Sequence, residues 1–181
     1  MAPTHPISTR MTPSADIVFR APGVLDAGAV RKLIAQSGAL DQNSFYCNIL
    51  QCSHFAQTCV VAECGGEILG WTSGYVPPQQ PDTYFVWQIC VAPHAQSTGL
   101  ARRMIRWALG RPALRDVSQI ECTITGDNRG SWAMFGALAR DLGAPVASVP
   151  HLLRNKHFRG NHPSEDKVTI GPFGIAPAQA A

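Results

Sequence analysis

Hydrophobic positions recur along this chain with two periods, and the switches between them mark out strands and helices. Residues 16–20, Asp-Ile-Val-Phe-Arg, form a short strand pattern. Over residues 26–34 the apolar positions Val30, Leu33 and Ile34 fall three and four apart, the spacing of one helix face, and Gly38 supplies a stop. Residues 41–55 are less regular, but Phe45, Ile49, Leu50 and Phe55 predict a second, partly exposed helix. Strand patterns at 59–63 and 68–76 flank Gly65-Gly66, a dipeptide suited to the positive φ of a two-residue hairpin turn. After a proline-rich loop at 77–82, residues 84–91 are apolar on both faces except at Gln88, which predicts a central strand.

The second half alternates between the two periods. Leu100, Met104, Trp107 and Ala108 form one stripe of a helix at 100–109, with Arg102, Arg103 and Arg106 off the stripe and Gly110 and Pro112 beyond its end. Residues 119–125 alternate as a strand does. Residues 129–142 read as a helix with Trp132, Phe135, Ala139 and Leu142 on one face and Gly143 as its stop. Short strands are expected at 146–153 and 167–170. The order β-α-α-β-β-β-α-β-α-β-β predicts an α/β (mixed α+β) architecture, a central mixed sheet of about six or seven strands with helices on both faces. Residues 1–15 are polar and proline-bearing, and 174–181 are rich in alanine and proline. Both read as flexible tails around a single domain at 16–173.

Composition narrows the function classes. A chain of 181 residues suits one continuous core, and 45% hydrophobic with 15% charged residues describes a globular protein. The net charge of +3 comes from 15 basic and 12 acidic side chains with no long Lys/Arg run, which argues against a nucleic-acid partner. No apolar run approaches the roughly 20 residues of a membrane span, and no signal-peptide pattern opens the chain, so a soluble cytoplasmic protein is expected. Six cysteines, at 47, 52, 59, 64, 90 and 122, include no CxxC pair, and several lie in apolar runs; they read as free, buried thiols. The six histidines share no metal-ligand spacing on one helix face, so no metal is expected.

Candidate chemistry concentrates where the strand at 84–91 runs into the helix at 100–109. Gln96-Ser97-Thr98-Gly99-Leu100-Ala101 brings small and polar residues to a helix N-terminus, whose unpaired N–H groups and partial positive charge suit an anion. Ser97 and Thr98 add hydroxyl donors, Gly99 and Ala101 lack bulk, and the arginines supply diffuse charge. No GxxxxGK[ST] occurs, which argues against a P-loop. From the residues alone, a phosphate site and an ordinary helix start both stand.

Gln96-x-x-Gly99-x-Ala101, after a strand and opening a helix, resembles the Q/R-x-x-G-x-G/A motif of the GNAT superfamily of N-acetyltransferases. The order of strands and helices is similar to that fold as well. The resemblance implies acetyl-CoA as cosubstrate. The main chain of Ile89, Cys90 and Val91 would pair with the pantetheine arm, and Gln96, Ser97, Thr98, Gly99, Leu100 and Ala101 would hold the pyrophosphate. The segment from Asn128 through Ser131 to Phe135 corresponds to the superfamily's N-x-x-A/S-x-x-x-Y pattern, in which Asn128 would contact the pantetheine and the final tyrosine would protonate the departing thiolate. Phe135 has no proton to give. Ser131, Tyr46 or water could serve instead, or CoA could leave as a thiolate, its thiol being acidic near pKa ~8.5.

Segments 41–47, 50–55, 70–75, 80–88 and 170–173 look like the diaminobutyrate acetyltransferases of ectoine biosynthesis. That narrower resemblance implies acetyl transfer to the γ-amine of L-2,4-diaminobutyrate and a homodimer. The substrate carries two amines and a carboxylate, and the reacting amine must lose its proton before it attacks a thioester. Asp41, Asn43, Tyr46, Trp87, Glu121, Thr123 and His157 are the candidate substrate residues, with Glu121 as base, directly or through water, and Tyr46 as a second catalytic candidate.

Plain alternatives stand beside these roles. Asp41 would also cap a helix, Trp87 would also pack a core, Glu121 would also be a solvated strand residue, and His157 would also be an ordinary loop side chain. Cys90 lies beside the expected thioester, but nothing near it in sequence activates a thiol, so direct transfer in a ternary complex is expected. The rival activities are acetylation of another small amine, such as a polyamine or aminoglycoside, and a non-catalytic acyl-CoA sensor.

Overall fold

A computed structural model describes residues 16–38 and 40–174. The tails expected at 1–15 and from 174 onward lie outside the described residues, apart from Gly174. In chain order the elements are β1 (Val18–Arg20), α1 (Ala27–Ser37), α2 (Phe45–Ser53), β2 (Val60–Cys64), β3 (Glu67–Tyr75), β4 (Thr83–Val91), α3 (Leu100–Leu109), β5 (Gln119–Thr125), α4 (Arg129–Leu142), β6 (Val146–Leu152) and β7 (Glu165–Ile170). The strands form one sheet in the order β1-β2-β3-β4-β5-β7-β6. Among the described residues only β4 and β5 run parallel, and every other pair is antiparallel. The mixed sheet expected from the periodicity is what forms.

Local chemistry explains the boundaries. Gly65 and Gly66 turn the β2–β3 hairpin with φ of 57° and 83°. The first helix is entered through a short 3₁₀ turn, Val24–Asp26, in which the Asp26 carboxylate accepts from the Gly23 N–H at 2.7 Å and pairs with Arg20. The second helix starts at Phe45, the first apolar position of its pattern, and ends at Ser53, short of Phe55. Ser44 is its cap, accepting from the Cys47 N–H at 3.0 Å, and the residues from Asp41 to Asn43 stay in a loop. The last strand begins at Glu165, two residues earlier than its apolar run.

The sheet carries helices on both faces. Ser73 receives a hydrogen bond from Gln51 of α2, while its neighbour Thr72 points the other way to Met104 of α3. Helix α4 lies against α3, tied by Arg102 to Asp141 at 2.7 Å. Trp71, fully buried, thus belongs to the α1/α2 side, and Ile120, Cys122 and Ile124 pack on the α3/α4 side.

Two irregularities in the middle of the sheet prepare the site. Between the pairs Ser73↔Gln88 and Gly74↔Val86, β4 advances two residues while β3 advances one, so Trp87 is an inserted residue, a β-bulge. The bulge turns Trp87 to the same face as Gln88, where its ring meets Tyr75 edge-on at 6.4 Å. Strands β4 and β5 pair only over Thr83↔Gln119, Tyr84↔Ile120 and Phe85↔Glu121. Beyond that point β4 stays with β3 and β5 with β7, and the sheet opens as a fork.

Candidate active site

The fork holds a cleft of about 270 Å³, lined by Ile89, Cys90 and Val91 of β4, Gln96 of the loop that follows, Ala101 in the first turn of α3, Asn128, Gly130, Ser131 and Met134 at the start of α4, Ser37 at the end of α1 and Leu40 after it. The Ala92 N–H donates to Leu69 of β3 at 2.8 Å. By strand alternation the main-chain groups of Cys90 also face β3, and those of Ile89 and Val91 face the fork. Of the three residues expected to pair with a pantetheine arm, two therefore offer backbone and Cys90 offers only its side chain. The Val91 carbonyl accepts from the Gln96 amide at 3.2 Å, which ties the strand end to the following loop.

That loop is built for exposed N–H groups. Ser97 and Gly99 both take left-handed backbone, with φ of 62° and 77°, and Gly99 is the N-cap of α3. The N–H groups of Ser97, Thr98 and Gly99 find no acceptor among the described residues, and the first turn of α3 adds the unpaired donors of any helix start. Such an arc of N–H groups is the chemistry of a phosphate site. The Thr98 hydroxyl is turned inward onto the Ala95 carbonyl at 2.8 Å, so Thr98 contributes backbone here. Leu100 is buried in the core and contributes only its N–H. Ser97, Thr98, Gly99 and Leu100 do not line the cleft itself. Arg102 is engaged with Asp141, and Arg103 stacks over Phe19 at 5.0 Å, so neither is a spare cation at the loop.

Across the cleft, Asn128 caps α4 by accepting from the Ser131 N–H at 3.0 Å, which leaves its amide NH₂ toward other partners. Phe135 is buried in the core and does not reach the cleft lining. Cys90 does line it, but burial pushes its thiol up to about 12. A group so rarely ionised is a poor nucleophile.

The candidate substrate residues gather on the α1/α2 face. Trp87 is there through the bulge, 43% exposed, with Tyr75 and Phe85 beside it. Glu121 is there because it is in register with Phe85 in the last pair before the fork, and Thr123 shares its face. Glu121 is only 8% exposed. It is not a solvated strand residue: its Oε1 meets Lys167 Nζ at 3.0 Å and the Thr169 hydroxyl at 3.3 Å, and Oε2 accepts from no described residue.

Above this face runs the segment from Asp41 to Tyr46. The Asp41 carboxylate is exposed and accepts from the Asn43 N–H at 3.1 Å, a local turn, while Ser44 takes the capping role. Asn43 has a φ of 52°, its carbonyl accepts from Arg31 at 3.2 Å, and its side-chain NH₂ is a buried donor without a partner among the described residues. Tyr46, in the first turn of α2, is 68% exposed.

None of Asp41, Asn43, Tyr46, Trp87, Glu121 and Thr123 lines the cleft itself. His157 is also off this face: it is exposed in the loop after β6, where Nδ1 accepts from the Leu153 N–H at 2.8 Å, a local turn contact, and it too is absent from the cleft lining. Ser37, Leu40, Gly130 and Met134 line the cleft with no signal in the sequence pattern, because a helix end and one face of a helix start acquire that role only by folding. Among the described residues no group of three or more His, Cys, Asp or Glu side chains is arranged to hold a metal ion, and no helix is long and apolar enough to cross a membrane.

Known proteins resemble this arrangement. The acetyltransferase (GNAT) family model matches residues 32–139. The chain is 42% identical over 168 residues to the L-2,4-diaminobutyric acid acetyltransferase of Methylotuvimicrobium alcaliphilum, covering 93% of this chain and 92% of the relative. It is 41% identical to the protein of the same description from Vibrio parahaemolyticus, over 84% of each chain. Among solved structures it is similar to the diaminobutyrate acetyltransferase EctA from Paenibacillus lautus in complex with its substrate L-2,4-diaminobutyric acid and coenzyme A. The TM-score is 0.85 and the identity 33%, over 89% of this chain and 98% of that one.

Proposed function

The chain belongs to the acetyltransferase (GNAT) family, and from that premise we propose that it transfers the acetyl group of acetyl-CoA to the γ-amine of L-2,4-diaminobutyrate. The products are N-γ-acetyl-L-2,4-diaminobutyrate, a precursor of ectoine, and CoA. The observation that carries the reading is the fork between β4 and β5. It opens beside unpaired main chain at Ile89 and Val91, leads to the N–H arc at residues 97–99, and has Glu121 at its base.

In this reading the pyrophosphate rests on the arc and the first turn of α3, and the pantetheine arm lies along Ile89 and Val91 with Asn128 and Ser131 opposite. The γ-amine reaches the enzyme as an ammonium and must lose a proton. Glu121, through its free Oε2 or a bound water, takes that proton. The nitrogen then attacks the thioester carbon, the N–C bond forms and the C–S bond breaks, and the second proton of the nitrogen passes to the departing CoA thiolate. Tyr46 is the candidate to relay it, giving its hydroxyl proton to the sulfur and taking the one from the nitrogen, in the role Phe135 cannot fill. Asp41 and Trp87 attract the second ammonium group, the buried NH₂ of Asn43 is a donor for the carboxylate, and Thr123 lines the approach. The transfer is direct: a Cys90 thiol raised by burial supports attack by the amine rather than an acetyl-cysteine.

Two further readings belong here. A homodimer is supported by β6, an edge strand exposed along almost its whole length, on which Val149 leaves 51% of its surface open. A cytoplasmic site of action under osmotic stress is supported by six free thiols and by the ectoine assignment.

The test is one assay: purified protein, acetyl-CoA and L-2,4-diaminobutyrate, following release of CoA thiol. CoA release with acetylation at the γ-nitrogen is expected. Turnover of polyamines or aminoglycosides in its place would refute the substrate, and binding of acetyl-CoA with no turnover on any amine would refute catalysis. Sedimentation velocity checks the dimer, and Val149→Lys is expected to shift it toward monomer.

A further inference from the structure

Gln88 interrupts an otherwise apolar run in β4, and none of the steps above employs it. It is 5% exposed. Its Nε2 donates to the Asp41 main-chain carbonyl at 2.6 Å, and its Oε1 is buried with no partner among the described residues. A buried acceptor left unpaired costs stability, and an apolar side chain of the same length would not carry that cost. The amide is therefore not explained by packing. What remains is the bond to Asp41.

That bond has a particular place. Ser73 and Gln88 are cross-strand partners at the Trp87 bulge, and both reach up to one continuous stretch of chain: Ser73 accepts from Gln51 of α2 at 3.4 Å, and Gln88 holds the residue that opens the loop before α2. The preceding Leu40 lines the cleft with Ile89 and Cys90, the residues next to Gln88 in the strand. Two residues after Asp41, Arg31 fixes the Asn43 carbonyl at 3.2 Å. The loop is thus pinned at Asp41 to β4 and at Asn43 to α1. The main chain facing the fork at Ile89 and the anchor at Gln88 are consecutive residues of one strand.

We propose that Gln88 is a positioning residue for the amine substrate, setting the distance between the Asp41–Tyr46 segment and the thioester end of the β4 cleft, and with it the length of diamine accepted. The inference rests on the reading of that segment as the substrate clamp. Because clamp and cofactor strand are referenced to adjacent residues, a diamine one methylene longer brings its reacting nitrogen to the wrong depth. Loss of the anchor frees the clamp to shift and blurs the choice.

The experiment compares wild type with Gln88→Met, which keeps the length and removes the donor, and Gln88→Asn, one methylene short and still polar. Steady-state constants are measured for acetyl-CoA, for L-2,4-diaminobutyrate and for L-ornithine, alongside thermal unfolding and hydrogen exchange at residues 41–46. Both variants are expected to raise KM for diaminobutyrate about 10-fold and to narrow its kcat/KM advantage over ornithine by a similar factor, with KM for acetyl-CoA within about 2-fold. Exchange at 41–46 should quicken. An unchanged diamine preference and unchanged exchange in either folded variant would overturn the proposal, as would a rise in both KM values in step with a lower unfolding temperature. Wild-type protein that releases no CoA with diaminobutyrate would instead refute the function on which the inference stands. If the Met variant does not fold, the Asn variant reads the same bond.

Discussion

Lys167 of β7 sets its ammonium 3.0 Å from Glu121 Oε1 of β5, at the point where the parallel pairing of β4 and β5 ends. Thr169 donates to the same oxygen, so one carboxylate oxygen is tied down and the other is left open. A carboxylate held this way is oriented before substrate arrives, which favours proton transfer from a positioned group. Glu121→Gln keeps the shape and removes the base; kcat is expected to fall about 100-fold or more with KM for acetyl-CoA little changed. Steady-state CoA release checks this, and retention of kcat would assign the proton to another acceptor.

Lys167→Met leaves the Glu121 carboxylate without its cation inside the sheet. Breaking such a pair is strongly destabilising when buried, and Lys167 stays partly exposed, so a loss of about 2 kcal/mol is expected. Urea denaturation measures it. The double variant with Glu121→Gln should recover part of the loss, since no unpaired charge then remains.

Cys90 tests the direct route. With its thiol pushed up to about 12, on the order of one molecule in 10⁵ is ionised at neutral pH. Cys90→Ala is expected to keep kcat within a few-fold, and intact-mass measurement of wild type incubated with acetyl-CoA alone should find no acetyl adduct. A stable acetyl-cysteine that is consumed on adding amine would replace direct transfer with a two-step route.

Gly99 starts α3 at a φ of 77°, where a side chain costs roughly 1–2 kcal/mol. Relief of that strain would rotate the N–H groups of the arc. Gly99→Val is expected to raise KM for acetyl-CoA about 10-fold while leaving KM for the diamine nearly unchanged.

The Arg20, Asp26 and Glu63 cluster joins β1, the 3₁₀ turn and β2. The hydrogen bond from Arg20, with a further one from the Gly23 N–H, holds the Asp26 carboxyl below its ordinary value of 3.8. A depressed acid contributes its stability in full above that ordinary value and loses it as pH falls through the lower folded one. Asp26→Asn is expected to cost about 1 kcal/mol at neutral pH, the pair being partly exposed, and progressively less below about pH 4. Thermal unfolding of both proteins across pH 2–7 reads the convergence.

Strands and helices were legible because their signals are local. The apolar stripe of α3, the Gly65-Gly66 turn and the Gly143 stop each act within a few residues, and α3, the β2–β3 hairpin and the end of α4 stand where those signals put them. The cap of α2 is less legible, because Asp41 and Ser44 both carry capping chemistry and only the bond from Cys47 N–H to Ser44 Oγ decides between them. Glu121 could be singled out as a carboxylate among isoleucines, but its partners Lys167 and Thr169 lie more than forty residues away and leave no local mark.

By itself the sequence determined the order and type of the elements, the loop at 96–101 with its unpaired N–H groups, and, through resemblance, acetyl-CoA and a diamine as the chemistry to expect. Tertiary structure decided the rest. The bulge at Trp87 exists only as a mismatch of register between β3 and β4. The fork exists because β5 leaves β4 after three pairs to stay with β7, and Gln88 finds Asp41 across 47 residues of chain. Such features depend on which strand lies beside which, and the energy that selects them is shared among partners distant in sequence, so no window along the chain contains it.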